Sequence, residues 1–363
     1  MRLGVVGLPN VGKSTLFNAI TGARAESANY PFCTIEPNVA LTAVPDERLA
    51  VLQKIYNAQK VVPAVVEFVD IAGLVKGASG GEGLGNKFLS HIRETHAIVH
   101  CVRVFSDEKI VKTGSCPVDD AEIINFELIL ADLESVNKRH EKTGKQLRVG
   151  DKGVQLEFSA LEKIKKALEE GRRAAEADLS DNERKVAKGF FLITMKPMLY
   201  VANIAENDVN KSDDEISGFK ELKEYARKQG AEVIRICAKI EQELNDLGEE
   251  DRAMFMAELG ITERALNRLI AAGFKLLGLM TFLTAGEKEV RAWTIALNTK
   301  APQAAGEIHT DFEKHFIKAE IVSYDDLVNL GSPVKVKEAG KMRLEGKEYI
   351  MRESDVVNFK VGI

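Results

Sequence analysis

Eight residues near the start of the chain have the types and spacing needed to bind a nucleotide phosphate. Residues 7–14 have the sequence Gly-Leu-Pro-Asn-Val-Gly-Lys-Ser and match the P-loop pattern G-x-x-x-x-G-K-[ST]. An apolar run over residues 3–6 predicts a strand before the motif, and residues 15–20 predict a helix after it. Because backbone N–H groups at a helix N-terminus attract anions, this stretch predicts a phosphate-binding loop. In such a loop Lys13 supplies a positive charge to the β- and γ-phosphates, and the Ser14 hydroxyl can bind Mg²⁺.

Two segments further along the chain predict the rest of the phosphate site. Thr34 lies in a proline-containing loop after the first helix, where P-loop nucleoside triphosphatases carry a threonine that completes the Mg²⁺ shell. Asp70 ends an apolar strand over residues 63–70 and is a predicted Mg²⁺ ligand, directly or through water. Gly73 follows at the spacing D-x-x-G and can donate its N–H to the γ-phosphate, so we predict a catalytic role for Gly73 together with Lys13.

The residue that follows Gly73 departs from the Ras-like pattern. Ras-like GTPases have a glutamine at this position, which orients the attacking water, whereas this chain has Leu74. A leucine side chain cannot hydrogen-bond to water. Either hydrolysis is slow, therefore, or another group positions the water.

The stretch expected to contact the base also departs from the GTPase pattern. GTPases carry N-K-x-D after a buried strand, and its aspartate accepts hydrogen bonds from N1–H and N2–H of guanine. This chain has Asn203-Ile204-Ala205-Glu206 after a strand predicted over residues 196–202. The longer Glu206 carboxylate would not occupy the same place, so the change weakens the case for GTP and leaves ATP open. Ala238 and Lys239 keep part of the S-A-K loop that closes over the base in GTPases.

A helical segment interrupts the predicted nucleotide domain over about residues 120–190. Apolar residues recur at spacings of three and four in both of its halves, at Ile123, Phe126, Leu130 and Leu133 and again at Leu161, Ile164 and Leu168. These spacings predict two antiparallel helices whose apolar faces pack together. The connection between them is basic, because residues 138–152 hold six Lys/Arg and two acidic residues. Such a tip suits a phosphate backbone, and an ordinary solvated turn is the alternative.

The last part of the chain has a different pattern. From Gly278 onward, short strands and turns predict a separate α+β module of roughly 85 residues. Strands are predicted over residues 281–284, 289–295, 317–321, 349–351 and 356–361, with one short helix near residues 310–316. The module has no obvious catalytic constellation, since His309, Asp311 and Glu313 are expected to cap and solvate a helix start.

Composition excludes several classes of protein. The chain of 363 residues is 45% hydrophobic and 29% charged, with a net charge of −5, so it is not basic all over, although a local basic patch is compatible. It enters its first predicted strand at once and has no apolar run long enough to span a bilayer, so we expect a cytoplasmic protein without a signal peptide. The four cysteines, Cys33, Cys101, Cys116 and Cys237, have no C-x-x-C spacing and are expected to be reduced thiols outside any metal site.

With these motifs in place, the chain resembles the YchF/Obg-like ATPase family, within the Obg branch of P-loop proteins with a GTPase fold. The shared stretches are residues 7–15, 29–38, 67–85, 203–206, 284–294 and 301–314. Together with the inserted arm they cover essentially the whole chain, and the Asn-x-x-Glu change is specific to this family. The resemblance implies an α/β fold: a P-loop GTPase-like domain over residues 1–277, an antiparallel coiled-coil insertion at about 120–190, and a C-terminal β-grasp (TGS) domain over residues 278–361.

The resemblance also implies an activity and a set of site residues. It implies Mg²⁺-dependent binding and hydrolysis of ATP in preference to GTP and association with the ribosome, where we expect contact with the large subunit and its RNA. We also expect no membrane partner, and a monomer, since nothing in the sequence demands more copies. Carried over to this sequence, the nucleotide-binding residues are Asn10, Val11, Gly12, Lys13, Ser14, Thr15, Asn203, Ile204, Glu206 and Ala238. The implied Mg²⁺ ligands are Ser14, Thr34 and Asp70.

Two details of hydrolysis depend on single residues. Several bacterial relatives have a histidine in the loop after the Phe105 strand, where this chain has Lys112, which disfavours a histidine-based mechanism. Related Obg-branch proteins use a P-loop asparagine to place a K⁺ ion that substitutes for an arginine finger. Asn10 makes the same arrangement a hypothesis here.

Three interpretations of function stay open on the sequence. The favoured one is a slow, partner-stimulated ATPase that acts as a molecular switch, with Thr34 and the loop after Gly73 ordered by the γ-phosphate and released on hydrolysis. An ordinary Obg-type GTPase is favoured by Asn203 and opposed by Ile204 and Glu206. An RNA- or ribosome-binding module with a sensing nucleotide site is favoured by the missing glutamine and the basic tip. A small-molecule kinase is a weaker fourth, because no lid or acceptor site is evident.

Overall fold

The chain divides into two compact units, each with its own sheet. The structure, a computed structural model, describes residues 1–23, 38–71, 85–105, 114–147 and 151–362. The described residues of the first unit fall within 1–23, 38–40 and 67–269, and those of the second within 41–66 and 270–362. Residues 41–66 therefore group with the C-terminal part of the chain, a membership that the sequence analysis did not predict. The predicted domain boundary between residues 277 and 278 stays a prediction.

Helices and strands alternate along the first part of the chain. Up to residue 276 the elements are β1 (Arg2–Val6), α1 (Lys13–Gly22), β2 (Val39–Ala43), α2 (Glu47–Tyr56), β3 (Lys60–Val62), β4 (Val65–Asp70), α3 (Asn86–Glu94), β5 (Ala97–Arg103), α4 (Pro117–Gln146), α5 (Lys152–Glu169), α6 (Asp181–Ala187), β6 (Met198–Asn203), α7 (Phe219–Lys228), β7 (Glu232–Ile236), α8 (Ala238–Asp246), α9 (Glu249–Glu258) and α10 (Ala265–Leu276). A β-α-β alternation of this kind builds a parallel sheet covered by helices.

The sheet that contains β1 has the strand order β2-β4-β1-β5-β6-β7. β1 pairs in parallel with β4 and β5, and β5-β6 and β6-β7 are parallel as well. β5 and β6 are buried along their whole length, as central strands of a covered parallel sheet are. The predicted fold class, a P-loop α/β domain of the GTPase type, is confirmed.

The inserted arm is a helical hairpin of α4 and α5. Arg139 on α4 donates from Nε to Glu157 Oε1 on α5 at 2.8 Å, and His140 stacks on Phe158 with ring centroids 4.4 Å apart. The predicted antiparallel pair is therefore confirmed. The core of the hairpin includes the three residues predicted for α5, which are Leu161, Ile164 and Leu168. From α4 it includes Ile129 and Val136.

The buried face predicted for α4 was wrong. Ile123, Phe126 and Leu130 are exposed, and only Leu133 packs partly against the arm core. The apolar residues that α4 buries instead are Ala121, Ile124, Leu128, Ile129 and Val136.

Buried polar groups explain this rotation of α4. Asn125 Nδ2 donates to the hydroxyls of Tyr200 at 2.7 Å and Tyr225 at 2.9 Å. Asp132, which is 0% exposed, accepts from the backbone N–H groups of Ile193 at 3.0 Å and Thr194 at 2.7 Å. Because buried polar groups must keep their partners, these contacts fix which face of the helix turns inward. Apolar spacing alone could not distinguish the two faces.

The second unit contains a β-grasp sheet. Its remaining elements are β8 (Leu279–Ala285), β9 (Glu289–Ala296), α11 (Ala301–Ile308), α12 (Thr310–Lys314), β10 (Phe316–Ser323), α13 (Tyr324–Leu330), α14 (Pro333–Glu338), β11 (Arg343–Glu345) and β12 (Asp355–Val361). The strand order is β11-β10-β12-β8-β9-β3, with β8-β9 antiparallel and β12 parallel to β8. α11 packs its alanines against the sheet, where Phe282 and Phe359 meet edge to face. Four of the five predicted strands are confirmed.

The fifth predicted strand, over residues 349–351, was wrong. Ile350 forms only an isolated bridge with Lys300, while β11 was not predicted. The predicted cap is confirmed, since His309 Nδ1 accepts from the N–H of Asp311 at 3.3 Å at the start of α12.

Residues 41–66 join the second unit through specific contacts. Asp46 caps α2 by accepting from the N–H of Arg48 at 3.1 Å. The Arg48 guanidinium pairs with Asp46 at 2.7 Å and donates to Thr281 Oγ1 on β8 at 2.8 Å. β3 extends the sheet by pairing in parallel with β9. The Arg48–Thr281 hydrogen bond and the β3-β9 pairing join segments more than 200 residues apart, so no local sequence pattern predicts them.

Candidate nucleotide site

The predicted site residues lie at the carboxyl edge of the first sheet. The P-loop follows β1, Asp70 ends β4, Asn203 ends β6, and Ala238 opens the helix after β7. Val5 lies opposite Asp70, and Asn203 opposite Ile236, in the register of the parallel strands. Ligands of open α/β sheets bind in the crevice at this edge.

The P-loop backbone has no room for a side chain at Gly12. Gly12 is the N-cap of α1 with φ at +85°, and a Cβ there would lie 2.2 Å from Nδ2 of Asn203. Asn10 also has a positive φ, 62°, which asparagine adopts more readily than most residues. Among the described residues no side chain caps α1, and its first turn has no acidic residue. This helix start therefore suits an anion.

The phosphate end of the site contains an ion pair between Lys13 and Asp70. Both side chains are largely buried, with 14% and 15% of their surface exposed. Ser14, the next residue of α1, is exposed, and Thr15 is half-buried. The structure thus places an ammonium group suited to phosphate beside a carboxylate suited to a divalent cation, with a hydroxyl on the neighbouring residue.

The donor set fits Mg²⁺ in the presence of a nucleotide. Within the ranges that the structure describes, no group of three or more His, Cys, Asp or Glu side chains could hold a metal ion alone. Mg²⁺ is usually bound by one or two carboxylates together with substrate phosphates and water. Ser14 and Asp70 supply protein ligands of that kind.

Several predicted residues lie outside the described residues. Thr34, the predicted third Mg²⁺ ligand, and Gly73, a predicted catalytic residue, are two of them. Leu74, Lys112, Cys33 and Arg148 of the predicted basic tip lie outside the described residues as well. Their predicted roles stay predictions.

Asn203 joins the two ends of the site. This residue is 5% exposed, and its Nδ2 donates to the carbonyl oxygen of Val11 in the P-loop at 2.9 Å. Its Oδ1 accepts from the backbone N–H of Ala238 at 3.0 Å. The Cys101 thiol also donates to Val11, at 3.8 Å, and burial raises the pKa of that thiol to about 12, so it stays protonated. The side-chain amide of Asn203 therefore holds the P-loop and the loop after β7 together.

The predicted base end of the site contains an ion pair between Glu206 and Lys239. Lys239 Nζ lies 2.8 Å from Glu206 Oε1, and the two side chains are 63% and 45% exposed. The hydrogen bond that Lys239 donates to the Glu206 carboxylate raises the pKa of Lys239. Ile204, at the position of the GTPase lysine, is 4% exposed and donates its N–H to Ile236 at 2.9 Å. The sequence predicts no partner for Glu206, because no spacing rule links residues on two different loops.

Comparisons with known proteins identify the family of this chain. Residues 2–143 match the family model described as "50S ribosome-binding GTPase", and residues 279–362 match YchF-GTPase_C, described as a protein of unknown function. The Ribosome-binding ATPase YchF of Bacillus subtilis is 53% identical over 100% of both chains. This chain belongs to the YchF family.

Other relatives in the family have the same extent. The Ribosome-binding ATPase YchF of Escherichia coli O157:H7 is 48% identical and aligns over 99% of this chain and 98% of its own. The solved structure of the Schizosaccharomyces pombe YchF GTPase has a TM-score of 0.90 and 38% identity, and covers 99% of this chain and 97% of its own. The predicted family is confirmed. None of the helices in the described part of the chain is long and apolar enough to cross a membrane.

Proposed function

We propose that this protein is a Mg²⁺-dependent ATPase that acts as a molecular switch on the ribosome. The family relationship supports both parts, since the bacterial relatives are named ribosome-binding ATPases. The proposal includes a monomeric, cytoplasmic protein whose β-grasp module is a TGS domain. It also includes contact with the large ribosomal subunit and its RNA through the basic tip of the arm.

The observation that carries the preference for ATP is the ion pair at the base end. Guanine is recognised by a carboxylate that accepts from both N1–H and N2–H. Glu206 replaces the shorter aspartate and already has a cation, Lys239, at 2.8 Å. Adenine has one exocyclic amino group as donor on that edge and needs only one acceptor, so it tolerates a carboxylate that is shared with a lysine.

Hydrolysis in this proposal rests on positioning and on charge neutralisation. The N–H groups at the start of α1 bind the phosphates, and Lys13 exchanges Asp70 for the β- and γ-phosphate oxygens. Bound Mg²⁺ would neutralise the charge that develops between these phosphates, held by Ser14, Asp70 and Thr34. No described residue near Lys13 is a convincing general base, so we expect slow hydrolysis without a partner.

Contacts between α3 and the arm support a switch. α3 follows the segment that contains Gly73, and Arg93 in its last turn donates to Ser135 on α4 at 3.1 Å and to the carbonyl of Phe191 at 3.2 Å. Lys196 donates to the carbonyls of Ile92 and Arg93 at 2.8 Å each, and so fixes the end of the same helix. A movement of α3 on hydrolysis would therefore be transmitted to the arm.

An ordinary Obg-type GTPase is the second candidate. Asn203 keeps the position and contacts expected of the first residue of N-K-x-D. The structural relative from Schizosaccharomyces pombe is also titled a GTPase. Under this alternative Glu206 would leave Lys239 and accept from guanine.

Side-by-side equilibrium binding of ATP and GTP with Mg²⁺ separates the two candidates. We expect ATP to bind at least about tenfold more tightly, a difference of about 1.4 kcal/mol. Tighter binding of GTP by that margin would overturn the ATPase assignment. Stimulation of phosphate release by purified 70S ribosomes tests the second part, and unchanged release with ribosomes present would count against it. Replacing K⁺ by Na⁺ tests the K⁺ hypothesis at Asn10, and unchanged activity would remove it.

A further inference from the structure

The outer face of α4 carries three large apolar side chains in contact with solvent. Ile123, Phe126 and Leu130 are 38%, 55% and 43% exposed. Their spacing of three and four places them on one side of the helix, as a stripe about two turns long. The residues between them, Ile124 and Leu128, are buried and form the opposite, core-facing side of the helix. A contiguous exposed stripe of this kind indicates an interaction surface.

The charge around the stripe indicates what it binds. Residues 117–137 of α4 hold six acidic residues and no Lys, Arg or His, whereas residues 138–146 hold four Lys/Arg and one acidic residue. Asp120 and Asp132 are buried, so the acidic surface of this stretch consists of the other four. Glu122 and Glu134, one at each end of the stripe, are exposed, and Glu134 shares its charge with Lys138. The first 21 residues of α4 are therefore acidic, and its last nine are basic.

Arg93 on α3 brings a positive charge to this part of α4, on the side of the helix away from the stripe. Arg93 lies 3.8 Å from the buried carboxylate of Asp132 and donates to Ser135 at 3.1 Å. Ser135 is nine residues from Phe126, which is two and a half helical turns and so the opposite side of α4. The stripe keeps its acidic surroundings.

We propose that the stripe of Ile123, Phe126 and Leu130 docks a basic protein surface of the ribosome, one that presents Lys or Arg beside aliphatic side chains. The inference rests on the proposed ribosome binding. RNA is the disfavoured occupant, because stacking of a base on Phe126 would bring phosphates next to Glu122 instead of to the cations that bind phosphate. The arm then has two surfaces, an acidic apolar one for protein near the nucleotide domain and a basic one for phosphate at its tip.

Co-sedimentation with salt-washed 70S ribosomes tests the stripe. Phe126→Asp is expected to weaken binding by at least about tenfold, because it places a charge at the centre of the docked face. Phe191→Asp is the matched control, since Phe191 is 75% exposed in the same unit and its carbonyl binds Arg93 on the other side of α4. This control is expected to bind ribosomes as the wild type does, and both variants should bind ATP normally.

Site-specific crosslinking identifies the class of partner. With p-benzoylphenylalanine in place of Phe126, irradiation with 70S ribosomes should give a product that protease removes and ribonuclease does not. A product removed by ribonuclease, or one between two copies of this chain, would overturn the inference. Equal ribosome binding by the wild type and Phe126→Asp would also overturn it and leave the proposed function intact. A wild type that hydrolyses ATP and does not bind ribosomes would overturn both the ribosome proposal and this inference.

Discussion

The phosphate end and the base end of the candidate site follow the general P-loop pattern to different degrees. At the phosphate end, Gly12, Lys13 and Asp70 have the types and positions that any nucleoside triphosphate requires. At the base end, Ile204 and Glu206 replace the residues that read guanine, and Glu206 is paired with Lys239. The phosphates are the same in every nucleotide, so residues that bind them have little freedom to change. The bases differ between nucleotides, and this chain departs from the GTPase pattern at the positions expected to distinguish them.

The two ends are also joined, because one side chain contacts both. Asn203 hydrogen-bonds to Val11 in the P-loop and to Ala238 beside the base end. Its amide lies where a Cβ on Gly12 would be. Substitutions at the two ends can therefore be compared by two measurements. One is the binding of ATP and GTP alike, and the other is the ratio of their dissociation constants.

The largest effect is expected from Lys13→Ala at the phosphate end. It removes the charge that neutralises the β- and γ-phosphates, so ATP hydrolysis should fall by about 10²- to 10³-fold, and ATP and GTP should be affected alike. Steady-state phosphate release measures the loss. Lys228→Ala, on the exposed surface of α7, is a control expected to change nothing. Wild-type hydrolysis by Lys13→Ala would mean that the catalytic site lies elsewhere.

The next effect is expected from Gly12→Ala, which acts on both ends at once. The new Cβ would lie 2.2 Å from Asn203 Nδ2 at a φ of +85°. We expect destabilisation of about 1–3 kcal/mol and weaker binding of both nucleotides. Thermal denaturation and nucleotide titration measure the two.

Gly171→Ala is the matched control for this variant. Gly171 has a φ of +74°, and no atom of the described residues lies within 4 Å of the position that a Cβ would take there. Alanine at this position therefore brings backbone strain without a steric contact. The difference between the two variants isolates the contact with Asn203. Equal destabilisation by both, with nucleotide binding unchanged, would show that Asn203 does not link the P-loop to the base end.

The sequence predicted which residues lie together at the phosphate end better than it did for any other part, because these residues directly follow or end predicted strands. The P-loop, Asp70 and Asn203 each end an apolar run, and the carboxyl ends of parallel strands must share an edge. The pairing of Glu206 with Lys239 could not be predicted, since it depends on how two loops approach each other. The buried face of α4 was missed for a related reason: both faces carry apolar residues at helical spacing, and the choice depends on tertiary hydrogen bonds of Asn125 and Asp132.

A smaller effect, on specificity, is expected from restoring N-K-x-D at the base end. The double variant Ile204→Lys, Glu206→Asp should shift the ratio of the ATP and GTP dissociation constants toward GTP by about tenfold, or about 1.4 kcal/mol. Hydrolysis of whichever nucleotide binds should persist, because the phosphate end is untouched. Since Ile204 is 4% exposed, the single variant Glu206→Asp serves as a control without a buried lysine. An unchanged ratio in both variants would place base recognition on other residues.

The smallest effect is expected from Lys239→Met, which removes the cation from Glu206 and keeps a side chain of similar length. Ion pairs between exposed side chains contribute little to stability, so the thermal midpoint should stay within error of the wild type. The freed carboxylate can then accept from N1–H and N2–H of guanine, so GTP binding should improve by about threefold relative to ATP, a change of the size expected for an exposed charge pair. Titration of both nucleotides at matched ionic strength measures the ratio, and high salt should reduce the difference between variant and wild type because it screens the pair. Glu243→Gln is the control, because Glu243 also faces Lys239, at 4.0 Å, and is not at the position of the guanine-reading aspartate. If Lys239→Met and Glu243→Gln leave the ratio equally unchanged, the length of Glu206, and not its ion pair, disfavours guanine.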